Sequence, residues 1–373
     1  MRAVRRLEKV LRPRRERGVA LIIALILVAL AAILATKLTF DGWIERRRTI
    51  SIMATEQAFH FGMGAEALAA DVLTQSMQGV QVGANGQASA SGQASGQSGA
   101  NGTGNSNLGT PTTQSGNASQ VTLAQAWAQP TQAMPITPDD NPEGEPIGVL
   151  QGAIEDMQGR FNLNNLAHVV AQNGQIIQDP QPLQQFQRLL VAVGLEPKWA
   201  GIARDWIDAD DQPGEPDGAE DSVYTSQTPP YRTGNWPMMS PSELMNMPGF
   251  GADRYRKIAP YVTALPTATA KINICTAPAQ VLQSFAENLG SDYTPELLAS
   301  ERKNGCFPDK QTFANVLGPT VAAQMATMYS DSSTYFRLTT RVTLGTTEFT
   351  LYSLLYRTPG GKVTPLLRTF GTF

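Results

Sequence analysis

The chain has 373 residues and a net charge of −3, long enough for a membrane helix and one or two folded domains. Residues 1–18 hold eight Lys/Arg against two Glu, a local +6, so the remainder stands near −9. An acidic body of that kind argues against a nucleic-acid partner and is compatible with cation binding. Two cysteines, Cys275 and Cys306, and two isolated histidines, His60 and His168, spell no zinc cluster. The histidines read as structural or surface residues.

The basic leader 1–18 ends in Arg14-Arg15-Glu16-Arg17-Gly18, and the 18 residues from Val19 to Thr36 carry no charge. As a helix they cover about 27 Å, close to the hydrocarbon thickness of a bilayer. The leader is expected on the cytoplasmic side, which makes the chain a single-pass membrane protein with its C-terminal body across the membrane. A secretory signal places its small-residue cleavage site after the apolar run. Here the glycine precedes it, so cleavage between Gly18 and Val19 keeps the helix. This arrangement resembles the class III signal of type IV pilins and type II secretion pseudopilins, which prepilin peptidase cuts. Most members carry glutamate at the fifth mature residue, where this chain has Ile23. A carboxylate in lipid is useful only beside a partner amine, so its loss suits a fibre tip. In this the chain resembles the K-type minor pseudopilins of type II secretion, the general secretion pathway protein K family.

No proline interrupts Val19 to Met77, and residues 19–78 are predicted as one transmembrane and stem helix. Arg46-Arg47-Arg48 suits anionic headgroups of the inner-membrane lipid or an ordinary solvated helix face. Val72 to Pro138 contains no charge, and its Gly/Ser/Asn/Gln-rich part, assigned as 79–122, is predicted to be a disordered insertion. Ile147 to Asp156 reads as a strand. The string EDMQGRFNLNNL that ends it is similar to a specific segment of the K family, with its asparagines expected to bond neighbouring backbone.

Asp205 to Asp221 holds eight carboxylates and no Lys or Arg. Unpaired, they repel one another, and a hard divalent cation ringed by oxygens would relieve that. A solvated acidic loop is the competing reading, and the spacing is not that of an EF-hand. DWIDAD…GAEDSVY…PPYRTGN…SPSEL is similar to the calcium-bearing segment of the K family. The resemblance implies Ca2+ held by Asp208, Asp210, Glu220 and Asp221, with Asp211 and Asp217 in reserve.

Ser240-Pro241-Ser242-Glu243 carries a capping box. Pro248-Gly249-Phe250-Gly251 resembles a helix-hairpin-helix turn, but seven Lys/Arg against seven Asp/Glu over 238–330 leave no DNA footprint. Lys271 to Pro278 follows the family's I-N-x-N-T-A-P, with Cys275 where asparagine is usual. On the exported side Cys275 and Cys306 are expected to form a disulfide. Tyr335–Leu344, Glu348–Tyr356 and Val363–Thr369 alternate as an antiparallel meander.

The fold class expected is α+β: a pilin-like long N-terminal helix on an antiparallel sheet, with a large inserted all-α, helix-hairpin-helix-like domain. Its α/β part spans 123–184 and 331–373, and the inserted domain with the acidic loop spans 185–330. The resemblance implies a structural role: a tip subunit of the periplasmic pseudopilus that initiates its assembly for protein export. Its partners would be the minor pseudopilins I, J and H, prepilin peptidase and the inner-membrane secretion platform. A DNA-binding pilin-like protein of competence machinery is the alternative. A calcium-dependent hydrolase is rejected for want of a nucleophile–base pair, zinc motif or phosphate loop.

Overall fold

The computed structural model describes residues 19–77, 120–138, 143–287, 289–290 and 292–371. The leader, the Gly18 side of the cleavage position and residues 78–119 of the insertion lie outside them. In the described segment that starts at Gln120, Val121 is buried and its N–H donates to Asp331 O at 2.9 Å.

The chain divides into two units, one up to Ala58 and one from Phe59. The first contains most of α1 (Val19–Met77), a helix long and apolar enough to cross a membrane. Its apolar side chains, Leu21, Ile26 and Leu34 among them, are more than half exposed, as a surface meant for hydrocarbon must be.

The second unit starts with the last turns of α1. Next come β1 (Met134–Ile136), β2 (Gly148–Asp156) and β3 (Phe161–Asn162). Then follow β4 (Val169–Gln172), β5 (Gln175–Gln178), α2 (Pro180–Ala192), α3 (Trp199–Asp205), α4 (Asp221–Tyr224), α5 (Gly251–Ile258) and β6 (Val262–Thr263). The body continues through β7 (Ile272–Asn273), α6 (Ala279–Gln283), α7 (Pro295–Glu301), α8 (Lys310–Leu317), α9 (Pro319–Met325) and β8 (Tyr329–Ser330). It closes with β9 (Tyr335–Leu344), β10 (Thr347–Arg357) and β11 (Val363–Phe370).

Five strands form one antiparallel sheet in the order β1-β2-β9-β10-β11. The three-strand meander is present, and β2 joins it beside β9. Alternation buries Phe336, Leu338 and Val342 of β9 and Phe349, Leu351 and Leu355 of β10 on one face. The end of α1 lies there, its Ala69 and Leu73 packed with Val121, Trp127, Phe336 and Leu355. Each fully buried Leu or Phe contributes about 1.5–3 kcal/mol. Two polar anchors fix the helix further. Arg368 grips Glu66 with two hydrogen bonds, 2.9 and 2.8 Å, and Ser353 Oγ donates to Glu66 at 2.7 Å. Arg357 donates to Leu73 O at 3.3 Å, a carbonyl near the helix C-terminus that also accepts from Ser76 Oγ at 2.7 Å, and to Ser333 O at 2.8 Å.

The second core belongs to the inserted body and starts earlier than residue 185. Phe161 stacks on Phe186 at 5.1 Å, and Leu163 and Leu166 enter the same cluster as Trp199, Phe250, Phe285 and Phe313. Phe161, Leu163 and Leu166 therefore pack with Phe186 in the helical core, whereas Val169 of β4 and Ile176 of β5 are more than half exposed. That body also holds three two-stranded pieces, β3–β6 and β7–β8 parallel and the β4–β5 hairpin. The hairpin turns at Asn173-Gly174, both at positive φ (52° and 79°), the conformation a two-residue hairpin loop requires.

The asparagines of the 155–166 motif are buried and bond backbone, though remote rather than neighbouring backbone. Asn164 donates to Met238 O and Leu265 O, and Asn165 to Ala270 O. Asp156, at the end of β2, is a buried hub where the two modules meet. Its Oδ1 accepts from Gln158 N at 2.9 Å, and its Oδ2 from Asn273 Nδ2 (2.9 Å), Thr276 Oγ1 (2.7 Å) and Ser333 Oγ (2.6 Å). Cys275 and Cys306 are bridged across 31 residues. At Pro248–Gly251 the turn is packing geometry: Phe250 meets Trp199 edge-on at 5.1 Å, and Arg254 caps the Gly249 and Phe250 carbonyls.

Candidate metal centre

The acidic loop is hung between α3 and α4. Asp205, the last residue of α3, is fully buried and acts as its inner post: Oδ2 accepts from Gly214 N and Ala219 N, both at 2.9 Å. That close approach demands glycine. A Cβ on Gly218 would lie 2.2 Å from Asp205 Oδ2, and one on Gly214 1.8 Å from Arg204 Nη2. Asp205 thus orders the loop and is not free to face a ligand with Oδ2.

Once the loop is folded, one carboxylate oxygen each from Asp208, Asp210 and Glu220 converges within 4.8 Å of the other two. Asp208 is 9 % exposed and Glu220 3 %. Asp208 Oδ2 accepts from Gln178 Nε2 at 3.0 Å, but its Oδ1 and both oxygens of Glu220 are buried without a hydrogen-bond partner. Such orphaned oxygens are costly, and these face one another. Burial, with Asp205 and Asp210 adding repulsion, pushes Asp208 up to about 6 against the Gln178 hydrogen bond. Burial and the charges of Asp205, Asp208 and Asp210 push Glu220 to about 7. Only the Thr233 hydroxyl, committed to Asp221 Oδ1 at 3.0 Å, and not a cation, pulls Glu220 the other way. A cluster of oxygens with a deficit of donors fits a hard divalent cation.

Three of the four expected ligands come together. Asp221 does not join them. Its Oδ1 accepts from Thr233 N and Oγ1, and its Oδ2 lies 3.4 Å from Arg232. Of the reserves, Asp211 Oδ1 is held by Asn235 Nδ2 at 3.1 Å, and Asp217 is exposed. Arg204, just before the all-acidic stretch, lies 3.7 Å from Asp205 and also acts on Asp208 through its charge, while Arg232, farther along the chain, pairs with Asp221. Gln178 was not legible beforehand, because it comes from the distant β4–β5 hairpin and no local spacing points to it. His168 pairs with Asp179, whose other oxygen caps α2 through Gln181 N.

Comparison with known proteins matches the span in which these residues lie. A family model described as type II secretion system (T2SS), protein K, matches residues 159–267, the span from the asparagine motif through the acidic loop. A type II secretion system protein K of Klebsiella pneumoniae is 33 % identical over 266 residues, 70 % of this chain and 67 % of that one. The chain belongs to the type II secretion protein K family. The likeness to the family extends over almost the full length. The Aeromonas hydrophila member is 28 % identical over 371 residues, covering 96 % of this chain and 98 % of its own. The Pseudomonas aeruginosa member is 29 % identical over 362 residues, with 96 % and 94 % covered. Among solved structures, one of the GspK–GspI–GspJ complex from enterotoxigenic Escherichia coli shares the fold. The TM-score is 0.64 at 24 % identity, over 87 % of this chain and all of that one. The mixed architecture of long helix, antiparallel sheet and inserted body is that of the family.

Proposed function

We propose that this K-family pseudopilin forms the tip of the type II secretion pseudopilus together with minor pseudopilins I and J, then H, and that it initiates the fibre's assembly. The carrying observation is the pairing of a full-length family match with a fold shared by a chain solved in a K–I–J complex. Ile23, where a membrane carboxylate would demand a partner amine, supports a position with no subunit ahead of it. Prepilin peptidase cuts between Gly18 and Val19, the N-terminus stays cytoplasmic, and the body works in the periplasm from the inner membrane. Ca2+ held by Asp208, Asp210 and Glu220 orders the loop, its two charges offsetting the mutual repulsion of those carboxylates. The protein's own residues position the rest: Asp205 pins the loop and Gln178 orients Asp208.

The full chain co-expressed with I and J should be extracted from inner membranes as one complex, with a mature N-terminus at Val19 by mass spectrometry. A chain that elutes alone under those conditions would remove the tip assignment.

A further inference from the structure

A groove open to solvent runs between the segment entering at Leu123 and helices α6 and α7 of the helical body. Its walls are largely apolar, with Leu123, Pro278, Pro295 and Ala299 among them, and its charged lining residues are Arg302 and Lys303. Among the described residues no aspartate or glutamate lines it. On a body with a strong excess of carboxylates, that is a local inversion of charge.

Arg302 forms the floor and is only 7 % exposed. Its Nε donates to Phe307 O and its Nη2 to Ile274 O, both at 2.7 Å, which fixes the guanidinium from behind, next to both cysteines of the disulfide. Nη1 makes no hydrogen bond among the described residues. The other buried arginines differ: Arg160 feels Glu155, Arg188 feels Glu287 and Arg357 feels Asp156. For Arg302 burial lowers the pKa to about 10 and no carboxylate opposes it. It remains a cation at neutral pH, desolvated and with no counter-ion among the described residues, which is expensive unless an anion arrives. A brace for two carbonyls would need only a neutral amide.

We propose that this groove receives an acidic side chain of another polypeptide, an Asp or Glu carried between apolar residues. The carboxylate meets the free edge of Arg302, Lys303 closes on it from the exposed rim, and the flanking apolar residues cover Leu123, Pro278 and Pro295. A free carboxylate ion would leave those apolar walls wet. The chain does not supply the acid from the segment beside the groove, since residues 72–138 carry no charge. The proposal is independent of the metal and of which assembly the chain enters.

The test presents the full chain, immobilised in detergent, with a pool of acetylated pentapeptides whose central glutamate is flanked by Leu, Val, Ala or Pro. The same pool with central glutamine is the comparison, and mass spectrometry reads retention. The glutamate pool should be retained about tenfold more strongly, because charge-assisted pairing with a buried guanidinium far outweighs a neutral hydrogen bond. Lys303→Glu, on the rim, should erase most of that preference at an unchanged melting temperature. Arg302→Gln should abolish it, and if that variant fails to fold the rim variant decides alone. Equal retention of the two pools, or no retention of either, overturns the proposal. So does a preference that survives Lys303→Glu, and so does complete elution by acetate at equal carboxylate concentration, which would make the groove a free-anion site.

Discussion

Asp156 and the pair Asp208–Glu220 are buried carboxylates in the same unit, and they are solved in opposite ways. Asp156 is met by four donors from three segments, and although burial leaves its pKa raised, those hydrogen bonds offset part of the rise. Asp208 and Glu220 have three buried oxygens with no donor and lie with Asp210 in a cluster of carboxylates. A hub that is satisfied by its own protein holds modules together; one left short of donors is built for something from outside. Donor supply, not burial, separates the two.

Breaking the first member should give the largest effect. Asp156→Ala strands donors from Gln158, Asn273, Thr276 and Ser333, and the body should lose about 3–4 kcal/mol irrespective of calcium. Urea unfolding of the full chain in detergent, with calcium and with EGTA, reads this, and a loss that depends on calcium would merge the two sites. The second member should respond only to the ion. At free calcium one hundred times the dissociation constant, binding stabilises by about 2.7 kcal/mol, visible as a higher melting temperature than in EGTA. Asp208→Ala with Glu220→Ala should remove most of that gain, whereas Asp221→Ala should leave it largely intact because Asp221 faces Thr233 and Arg232. Identical melting curves in the two buffers would return the loop to mere solvation.

The smallest effect belongs to a third carboxylate that is paired in the ordinary way. Burial alone would raise the pKa of Glu66, but hydrogen bonds from Arg368 and Ser353 and the charge of Arg368 bring it below its usual 4.5. A carboxyl depressed in the fold stabilises above its unfolded pKa and loses that contribution as pH falls through the folded value. Wild type held in calcium should therefore lose melting temperature below about pH 4.5 more steeply than Arg368→Met does. Parallel acid limbs in the two proteins would show that the pair is too solvated to matter.

What was legible in the chain was local. The apolar run, the capping box at Ser240, the alternation of β9 and β10 and the isolated cysteine pair each announce themselves within a few residues or by elimination. The acidic stretch showed a charge density that nothing within it relieves, and the choice of Asp208, Asp210, Glu220 and Asp221 within it came from the resemblance to the K family. What stayed hidden depends on residues far apart in the chain. Gln178 reaches Asp208 from a hairpin, Asp221 turns away because Thr233 and Arg232 happen to fold back over it, and Phe161 joins the helical core because Phe186 stacks on it. No periodicity encodes those meetings. Arg302 was likewise silent, since only the folded groove shows that no acid among the described residues lines it.

The inserted body leaves the sheet at Asp156 and returns at Phe336, which are register partners on adjacent strands. If that body were unstructured, β2 and β9 could pair only after closing a loop of roughly 180 residues, an entropic cost of about 4–5 kcal/mol by the logarithmic law. Folded, the body delivers its two ends one strand-width apart and that cost disappears. The stem-and-sheet module should accordingly mature late, after the body beyond Asp156 has condensed. A short Asn-Gly hairpin in place of residues 157–335 would remove the same delay and leave the minimal pilin scaffold from which the larger chain is built.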